Sequence, residues 1–314
     1  MRQAGRHLPE YRELRQRYAF TEAVADPAVA AEISLQPWER YRPDGVVMFS
    51  DILVALEPLG VSYRIEEGVG PVIDEPVTGP DDLPATHEPV AESLAYVGDL
   101  LERLDAAVGA EAAVIGFAGG PFTLASYAVS GTPAREHVPL RRLRAADPAA
   151  FSGLLERLAD VVADFLAYQV EAGADVVQLF DTYAGLLPPA EYAESILPLH
   201  RRILERASVP TILFVRGMGG RLDQLAAAGP DVVGLDWTVD MAAARASLGA
   251  TPVQGNLDPT VLLGTEMGVR RRTAELIEAA GPAGHILNLG HGVHRDTPVE
   301  NVRAFVETAK AVER

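Results

Sequence analysis

The sequence predicts an α/β fold with the winding of a (β/α)8 TIM barrel. Short apolar or β-branched segments alternate with longer segments whose apolar residues recur at helical spacing. Strands that are apolar almost throughout, with helices between them, indicate a parallel sheet buried on both faces. Polar residues follow the ends of several predicted strands, which is where a barrel of this kind carries its catalytic groups.

Seven segments are predicted as strands. They are residues 45–51, 113–120, 175–182, 211–217, 232–237, 252–256 and 285–292. The intervening segment LLERLADVVADFLAYQV is predicted as a helix, because Leu154, Leu158, Val161 and Phe165 share one stripe. A closed barrel needs eight strands. We interpret the opening residues MRQ as the end of the eighth, with the first strand truncated and Met1 expected to be an internal methionine.

An open, doubly wound sheet is the alternative to the barrel. That fold would carry a Gly-rich phosphate loop after its first strand. The stretch GFAGGPF is a weak match, because Pro121 disfavours a helix start of that kind. Apolar and polar residues alternate at the start of residues 61–84, and the segment then becomes Pro-rich. We therefore expect a hairpin and loop over the barrel mouth. The absence of a repeat or low-complexity linker predicts a single domain over residues 1–314.

Composition excludes several function classes. The 314-residue chain has a formal net charge of −17 and no cysteine. This acidity argues against nucleic acid as a partner, and the missing cysteines exclude a thiolate nucleophile and Cys-ligated metal. No apolar run reaches the ~18 residues of a membrane span, and no signal peptide is present, so we predict no membrane association and a cytoplasmic location. The only lysine, Lys310, lies in a predicted solvent-facing terminal helix, which argues against Schiff-base and pyridoxal-phosphate chemistry.

An arginine pair stands at the start of the chain, in the segment MRQAGR. Arg2 and Arg6 flank Gly5, and arginine is suited to bidentate recognition of carboxylate or phosphate. A solvated basic patch is the alternative interpretation. Gly5 favours a binding role, because a glycine allows the backbone to approach a ligand closely.

Asp51 follows the first complete strand, in the segment FSDIL. An aspartate in this position is most often a helix N-cap or a turn residue. The functional alternative is a partly desolvated carboxylate at the barrel mouth.

Three other polar residues follow strands and glycines. Tyr127 ends GFAGGPFTLASY, Thr182 lies in LFDTYAG, and His291 lies between two glycines in NLGHGVH. A lone histidine is more often structural, but flanking glycines give an anion access to backbone N–H groups. The His291 and His294 pair lacks a nearby third ligand, so we predict no metal site.

Taken in order along the chain, these motifs resemble the uroporphyrinogen decarboxylase family. The resemblance rests on MRQAGR, LPEYR, FSDIL, GFAGGPFTLASY, QLFDTYAG, VVGLDWT, QGNLDP and NLGHG. It implies a cofactor-free barrel enzyme, usually a homodimer. The implied reaction removes the four acetate carboxyl groups of uroporphyrinogen III as CO₂ and gives coproporphyrinogen III for haem synthesis.

The resemblance also implies a set of substrate-binding residues. These are Arg2, Gln3, Ala4, Gly5, Arg6, Asp51, Tyr127, Thr182 and His291. Asp51 corresponds to the central aspartate of the family, and Arg2 and His291 are the other implied catalytic residues. The proton donor is left open between His291, because an imidazole has a suitable intrinsic pKa, and Arg2, although a guanidinium is a very weak acid.

Two positions depart from the family pattern. Thr182 stands where many relatives have serine, which keeps the hydroxyl, and His7 stands where the family usually has tyrosine. A related barrel family transfers methyl groups from corrinoids with cysteine-ligated zinc, which this cysteine-free chain cannot provide. A non-enzymatic tetrapyrrole-binding protein is the other alternative, and the presence of the whole residue set argues against it.

Overall fold

The computed structural model describes residues 5–66, 68–133 and 135–312. The predicted end of an eighth strand at residues 1–3 lies outside this range. So do three residues of the expected site, Arg2, Gln3 and Ala4.

The strands form one large parallel sheet and one hairpin. Their bounds are β1 (Gly45–Val47), β2 (Tyr63–Glu66), β3 (Gly70–Ile73), β4 (Ala113–Gly119), β5 (Val176–Phe180), β6 (Thr211–Phe214), β7 (Val232–Gly234), β8 (Val253–Leu257) and β9 (His285–Leu289). The large sheet has the order β1-β4-β5-β6-β7-β8-β9, and every pairing in it is parallel. A doubly wound sheet would reverse its strand order at a switch point. The strictly sequential order therefore confirms the barrel-type winding.

The predicted strands and hairpin are confirmed. Each of the seven predicted segments overlaps a strand of the large sheet, and β2 and β3 pair antiparallel within residues 61–84. Most strands end earlier than predicted, because the polar residues behind them belong to loops. The carboxylate of Asp181 accepts from a backbone N–H in the first turn of α6, and that of Asp236 accepts from the Gly217 N–H in the loop after β6.

The helices lie between the strands and at the two ends of the chain. Their bounds are α1 (Pro9–Arg17), α2 (Phe20–Ala25), α3 (Pro27–Tyr41), α4 (Val90–Ser93), α5 (Ala95–Val108), α6 (Pro121–Ser130), α7 (Val138–Ala146), α8 (Pro148–Glu171), α9 (Pro189–Ser195), α10 (Leu197–Glu205), α11 (Leu222–Ala227), α12 (Met241–Leu248), α13 (Glu266–Ala280) and α14 (Val299–Ala311). Helix α6 begins at Pro121, so our argument that this proline disfavours a helix start was wrong. Proline is tolerated in the first turn because its missing N–H would have no intrahelical partner there.

The core is formed by the sheet and the apolar faces of these helices. Helix α8 packs on β4 and β5, and its predicted stripe of Leu154, Leu158, Val161 and Phe165 is fully buried. Burial of each such side chain stabilises the fold by roughly 1.5–3 kcal/mol. Lys310 is exposed on α14, as predicted, and donates to the carbonyl of Arg42.

The two edges of the parallel sheet have different surroundings. We call the edge where the strands begin the amino edge and the edge where they end the carboxyl edge. At the amino edge, Asp175 accepts a hydrogen bond from the Val114 N–H at 2.8 Å, and Asp231 accepts one from the Thr211 N–H at 2.8 Å. Each carboxylate therefore ties the start of one strand to the start of its neighbour.

A search of the helices in the described ranges finds none that is both long enough and apolar enough to cross a membrane.

Candidate active site

Asp51 lies at the carboxyl edge, four residues after the end of β1. It is half-buried, and its carboxylate accepts a hydrogen bond from the Leu53 N–H at 2.9 Å. This bond caps the 3₁₀ helix Ile52–Leu59, so the capping interpretation of Asp51 is confirmed. An ionised carboxylate offers about four acceptor lone-pair sites.

A second acidic group lies close to Asp51. Glu57 is half-buried, burial raises its pKa, and it accepts hydrogen bonds from the Tyr96 hydroxyl at 3.1 Å to both carboxylate oxygens. Burial also raises the pKa of Tyr63 and of Tyr96, with smaller contributions from the charges of Glu57 and Asp51. Both phenols therefore stay protonated, and Tyr96 donates to Glu57.

Tyr127 lies on α6 and belongs to a chain of three ring side chains. Its hydroxyl is 3.1 Å from the Tyr183 hydroxyl, and the Tyr183 ring packs against His137 with 3.8 Å between ring centroids. His137 is buried, burial lowers its pKa, and its Nδ1 has no hydrogen-bond partner among the described residues. The chain therefore connects α6, the loop after β5 and the segment before α7.

Asp181 follows β5 but is fully buried and used for structure. One carboxylate oxygen accepts bonds from the Thr123 N–H and hydroxyl at 2.8 and 2.7 Å, which caps the start of α6. The other accepts a bond from His200 Nε2 at 2.8 Å, and His200 Nδ1 lies 3.1 Å from the Tyr192 hydroxyl. Asp181 therefore fixes the position of α6, and with it Tyr127, relative to the end of β5.

Thr182 follows Asp181 and is half-buried. Within the described part of the chain, its hydroxyl makes no hydrogen bond. Its backbone is held between Asp181 and Tyr183, whose N–H groups bond to the Phe214 carbonyl and the Thr123 hydroxyl at 3.0 and 3.2 Å. Thr182 therefore presents a positioned hydroxyl that a ligand can use.

His291 follows β9 and packs on Trp237, which follows β7. The two rings are 5.6 Å apart between centroids and nearly perpendicular. The Arg216 guanidinium lies over the same indole at 4.8 Å from its centroid. Arg216 and His291, which follow β6 and β9, therefore both pack on Trp237, which follows β7, at the carboxyl edge.

The described part of the arginine segment forms a turn. Gly5 has a φ of 51° and packs against Leu8 and Pro37, so both conformation and space favour glycine there. Arg6 is half-buried. His7 is buried, its Nε2 lies 2.9 Å from the Tyr41 hydroxyl, and burial lowers its pKa to about 4, with Arg12 and Arg40 contributing.

Sequence reasoning missed four residues of this edge. They are Tyr183, His137, Arg216 and Trp237. Tyr183 and Trp237 stand inside the motifs LFDTYAG and VVGLDWT, and Arg216 is a cation directly after a strand, so each carried a usable signal. His137 carried none, because its contact with Tyr183 joins residues that are distant along the chain.

No cluster of three or more His, Cys, Asp or Glu side chains within the described ranges has the arrangement of a metal site. His294, the possible partner of His291 in such a site, is exposed and lies 3.5 Å from Asp296.

The sequential parallel sheet and the polar residues at its carboxyl edge define an enzyme of the (β/α)8-barrel class. A solved methyltransferase from Methanosarcina mazei has the same fold, with a TM-score of 0.82, 20% identity, and coverage of 95% of this chain and 90% of its own. A B12-independent methionine synthase from Shewanella sp. W3-18-1 is more distant, with a TM-score of 0.58 at 13% identity over 90% and 87% of the two chains.

Sequence comparison identifies the family within this class. The family model for uroporphyrinogen decarboxylase (URO-D) matches residues 1–312. A uroporphyrinogen decarboxylase from Gloeobacter violaceus is 46% identical over 320 residues, which cover 99% of this chain and 92% of the relative. Another from a Synechococcus species is 45% identical over 317 residues, with coverage of 99% and 87%. The chain belongs to the uroporphyrinogen decarboxylase family.

Proposed function

We propose that this chain is a carboxy-lyase that converts uroporphyrinogen III to coproporphyrinogen III by removing its four acetate carboxyl groups as CO₂. The observation that carries the proposal is the 46% identity to a uroporphyrinogen decarboxylase over 99% of the chain. The position of Asp51, Thr182 and His291 at the carboxyl edge supports it, because barrel enzymes carry their chemistry there.

In this proposal Asp51 is the central catalytic residue. A porphyrinogen presents four pyrrole N–H groups, which can converge on a carboxylate that offers about four acceptor sites. The substrate's own pyrrole ring, protonated at carbon, is the electron sink for each decarboxylation, so no cofactor is required. Asp51 then stabilises the positive charge that develops on the ring, which acts on the transition state more than on the ground state.

The magnitude of this interaction shows that Asp51 does not act alone. At about 4 Å and an effective dielectric constant of ~20, one charge pair is worth ~4 kcal/mol. Enzymes lower barriers by up to ~20 kcal/mol. Positioning of the substrate and donation of a proton supply the remainder. His291 and Arg2 are the two candidates for the proton donor, and Arg2 lies outside the described residues.

Substrate carboxylates require local positive charge, because a chain with a net charge of −17 repels them at long range. We assign this role to Arg2, Arg6 and His291, with the backbone of Gln3, Ala4 and Gly5 in the same site. Thr182 and Tyr127 add hydroxyl groups on the neighbouring loop and helix. Tyr183 orients the Tyr127 hydroxyl at 3.1 Å.

The proposal includes a homodimer, as the family resemblance implies, and a cytoplasmic location, as the composition predicts. Light scattering of the purified chain tests the oligomeric state, and a mass of one protomer would contradict the dimer. Fractionation of the source cells tests the location.

The activity is tested by supplying the purified chain with chemically reduced uroporphyrinogen III. We expect CO₂ release together with products of seven, six, five and finally four carboxyl groups, separated after oxidation to porphyrins. Tetrapyrrole binding without CO₂ release would overturn the proposal in favour of a binding protein.

A further inference from the structure

Arg216 is an exposed cation at the carboxyl edge of the sheet. It lies two residues after the end of β6. Among the described residues its guanidinium forms no ion pair, and its recorded contact is the face of Trp237, with 4.8 Å to the ring centroid. Stacking on an indole leaves the guanidinium edge, with its N–H donors, available for a carboxylate.

The backbone of Arg216 is fixed from two sides. A Cβ added to Gly185 would lie 1.9 Å from the Arg216 carbonyl oxygen, so the loop after β5 packs directly on this residue. The next residue, Gly217, donates its N–H to Asp236 at 2.6 Å. Asp236 is itself buried at the end of β7, directly before Trp237. Arg216 is therefore positioned by contacts with two neighbouring loops.

The loop that carries His291 packs closely on the backbone of Trp237. A Cβ added to Gly290 would lie 2.2 Å from the Trp237 backbone nitrogen. The glycine thus allows the loop after β9 to reach the loop after β7. The Trp237 ring then separates two groups able to bind anions, Arg216 over its face and His291 against it.

We propose that Arg216, on the Trp237 platform beside His291, forms a carboxylate-binding subsite of the substrate cleft. It is additional to the subsite formed by the arginine segment at the start of the chain. The inference rests on the proposed function, because the ligand is one of the carboxylates of uroporphyrinogen III. Arginine matches a carboxylate bidentately, and a guanidinium that forms no ion pair among the described residues keeps its charge for the ligand.

A second arginine–tryptophan pair in the molecule provides a matched control. Arg42 lies over the Trp38 ring at 4.0 Å from its centroid, but it also pairs with Glu111 at 3.2 Å. It lies between α3 and β1, at the amino edge of the sheet. Arg42 therefore has the same aromatic contact as Arg216 but a neutralised charge, and it stands away from the catalytic edge.

The test compares Arg216→Gln with Arg42→Gln in the CO₂-release assay. We expect Arg216→Gln to raise the KM for uroporphyrinogen III by ~10-fold, the size of one charge-assisted hydrogen bond, with a much smaller change in kcat. The KM of this variant is also expected to rise less steeply with salt than that of the wild type. Arg42→Gln is expected to keep the wild-type KM and salt dependence.

Melting temperatures of both variants accompany the assay. A KM for Arg216→Gln within twofold of the wild type, with the same salt dependence, would overturn the inference, whether or not the melting temperature falls. An inactive wild type would instead contradict the proposed function, so the two failures are distinguishable.

Discussion

The two edges of the parallel sheet use the same residue types for different purposes. At the amino edge, Asp231 accepts hydrogen bonds from the Thr211 N–H and hydroxyl at 2.8 and 2.9 Å. At the carboxyl edge, Asp51 accepts a hydrogen bond from the Leu53 N–H at 2.9 Å, and its charge contributes to raising the pKa of Tyr63 and of Tyr96. The amino-edge carboxylates stabilise the strand starts, whereas we propose that Asp51 acts on a substrate. Each of these aspartates adjoins an apolar strand, so the residue type alone does not indicate its role.

The carboxyl edge also contains structural carboxylates. Asp181 and Asp236 are both buried and fully engaged with backbone N–H groups, hydroxyl groups or His200. Their bonds hold the loops that carry Thr182 and Arg216. The carboxyl edge therefore contains buried carboxylates that position loops, and the proposed substrate-binding groups Thr182 and Arg216 lie on those loops.

The largest expected effect is on turnover and concerns Asp51→Asn. Asparagine is almost as good an N-cap as aspartate, so the bond from Leu53 and the unfolding free energy are expected to be preserved. The variant lacks the full negative charge, so we expect kcat for CO₂ release to fall by at least ~100-fold, as when one oxyanion-hole group is removed. Substrate binding is expected to weaken less. Near-normal turnover would remove Asp51 from the mechanism.

The next largest expected effect is a loss of stability at low pH, and it is caused by His7, which lies outside both edges. Burial lowers the pKa of His7 to about 4, against an ordinary value of 6.5, so the unfolded chain binds more protons between these values. Stability from this group is present above pH 6.5 and is lost as the pH falls toward 4. Its share of the loss between pH 7 and pH 5 is ~2 kcal/mol. Urea unfolding at the two pH values checks this.

The matched variants are His7→Gln and His294→Gln. The first keeps a polar group opposite the Tyr41 hydroxyl but does not titrate, so its stability is expected to fall less on acidification. The second removes an exposed histidine and is expected to follow the wild type. Identical pH dependence in all three proteins would exclude His7 as the cause. These control variants are needed because unfolding in acid lowers activity in the same way as loss of a catalytic group.

Thr182 gives the smallest expected change in activity. Serine keeps the hydroxyl, whereas valine leaves a buried substrate carboxylate without one partner, which costs ~1–3 kcal/mol. We expect Thr182→Ser to retain activity and Thr182→Val to lose ~10-fold in kcat/KM. Equal activity of the two variants would show that the hydroxyl does not contact the substrate.

The fold was predictable from the sequence because its signals are local. Apolar strands and the stripe of α8 are visible in short windows, and all seven predicted segments overlap strands of the large sheet. The strand ends were less predictable. Strand β5 ends just before Asp181, whose carboxylate bonds to Thr123 of α6 and His200 of α10. Both partners are distant in the sequence, so a short window does not show them.

The site was predictable only in part. Asp51 and Asp181 have similar local sequences, each an aspartate behind an apolar strand, and only the buried His200 shows that Asp181 is structural. The family resemblance selected Asp51 as a site residue, which stays a prediction that the Asp51→Asn variant tests. It did not select Arg216, because the contact with Trp237 arises from tertiary packing.

A double-mutant cycle between Asp51→Asn and Asp231→Asn tests the separation of the two edges most directly. Asp231→Asn alone is expected to lower stability by ~1 kcal/mol through weaker bonds to Thr211, with wild-type kcat/KM. The double variant is predicted to combine the activity loss of the first with the stability loss of the second, each within ~0.5 kcal/mol. A coupling energy above ~1 kcal/mol in either quantity would contradict the division of roles.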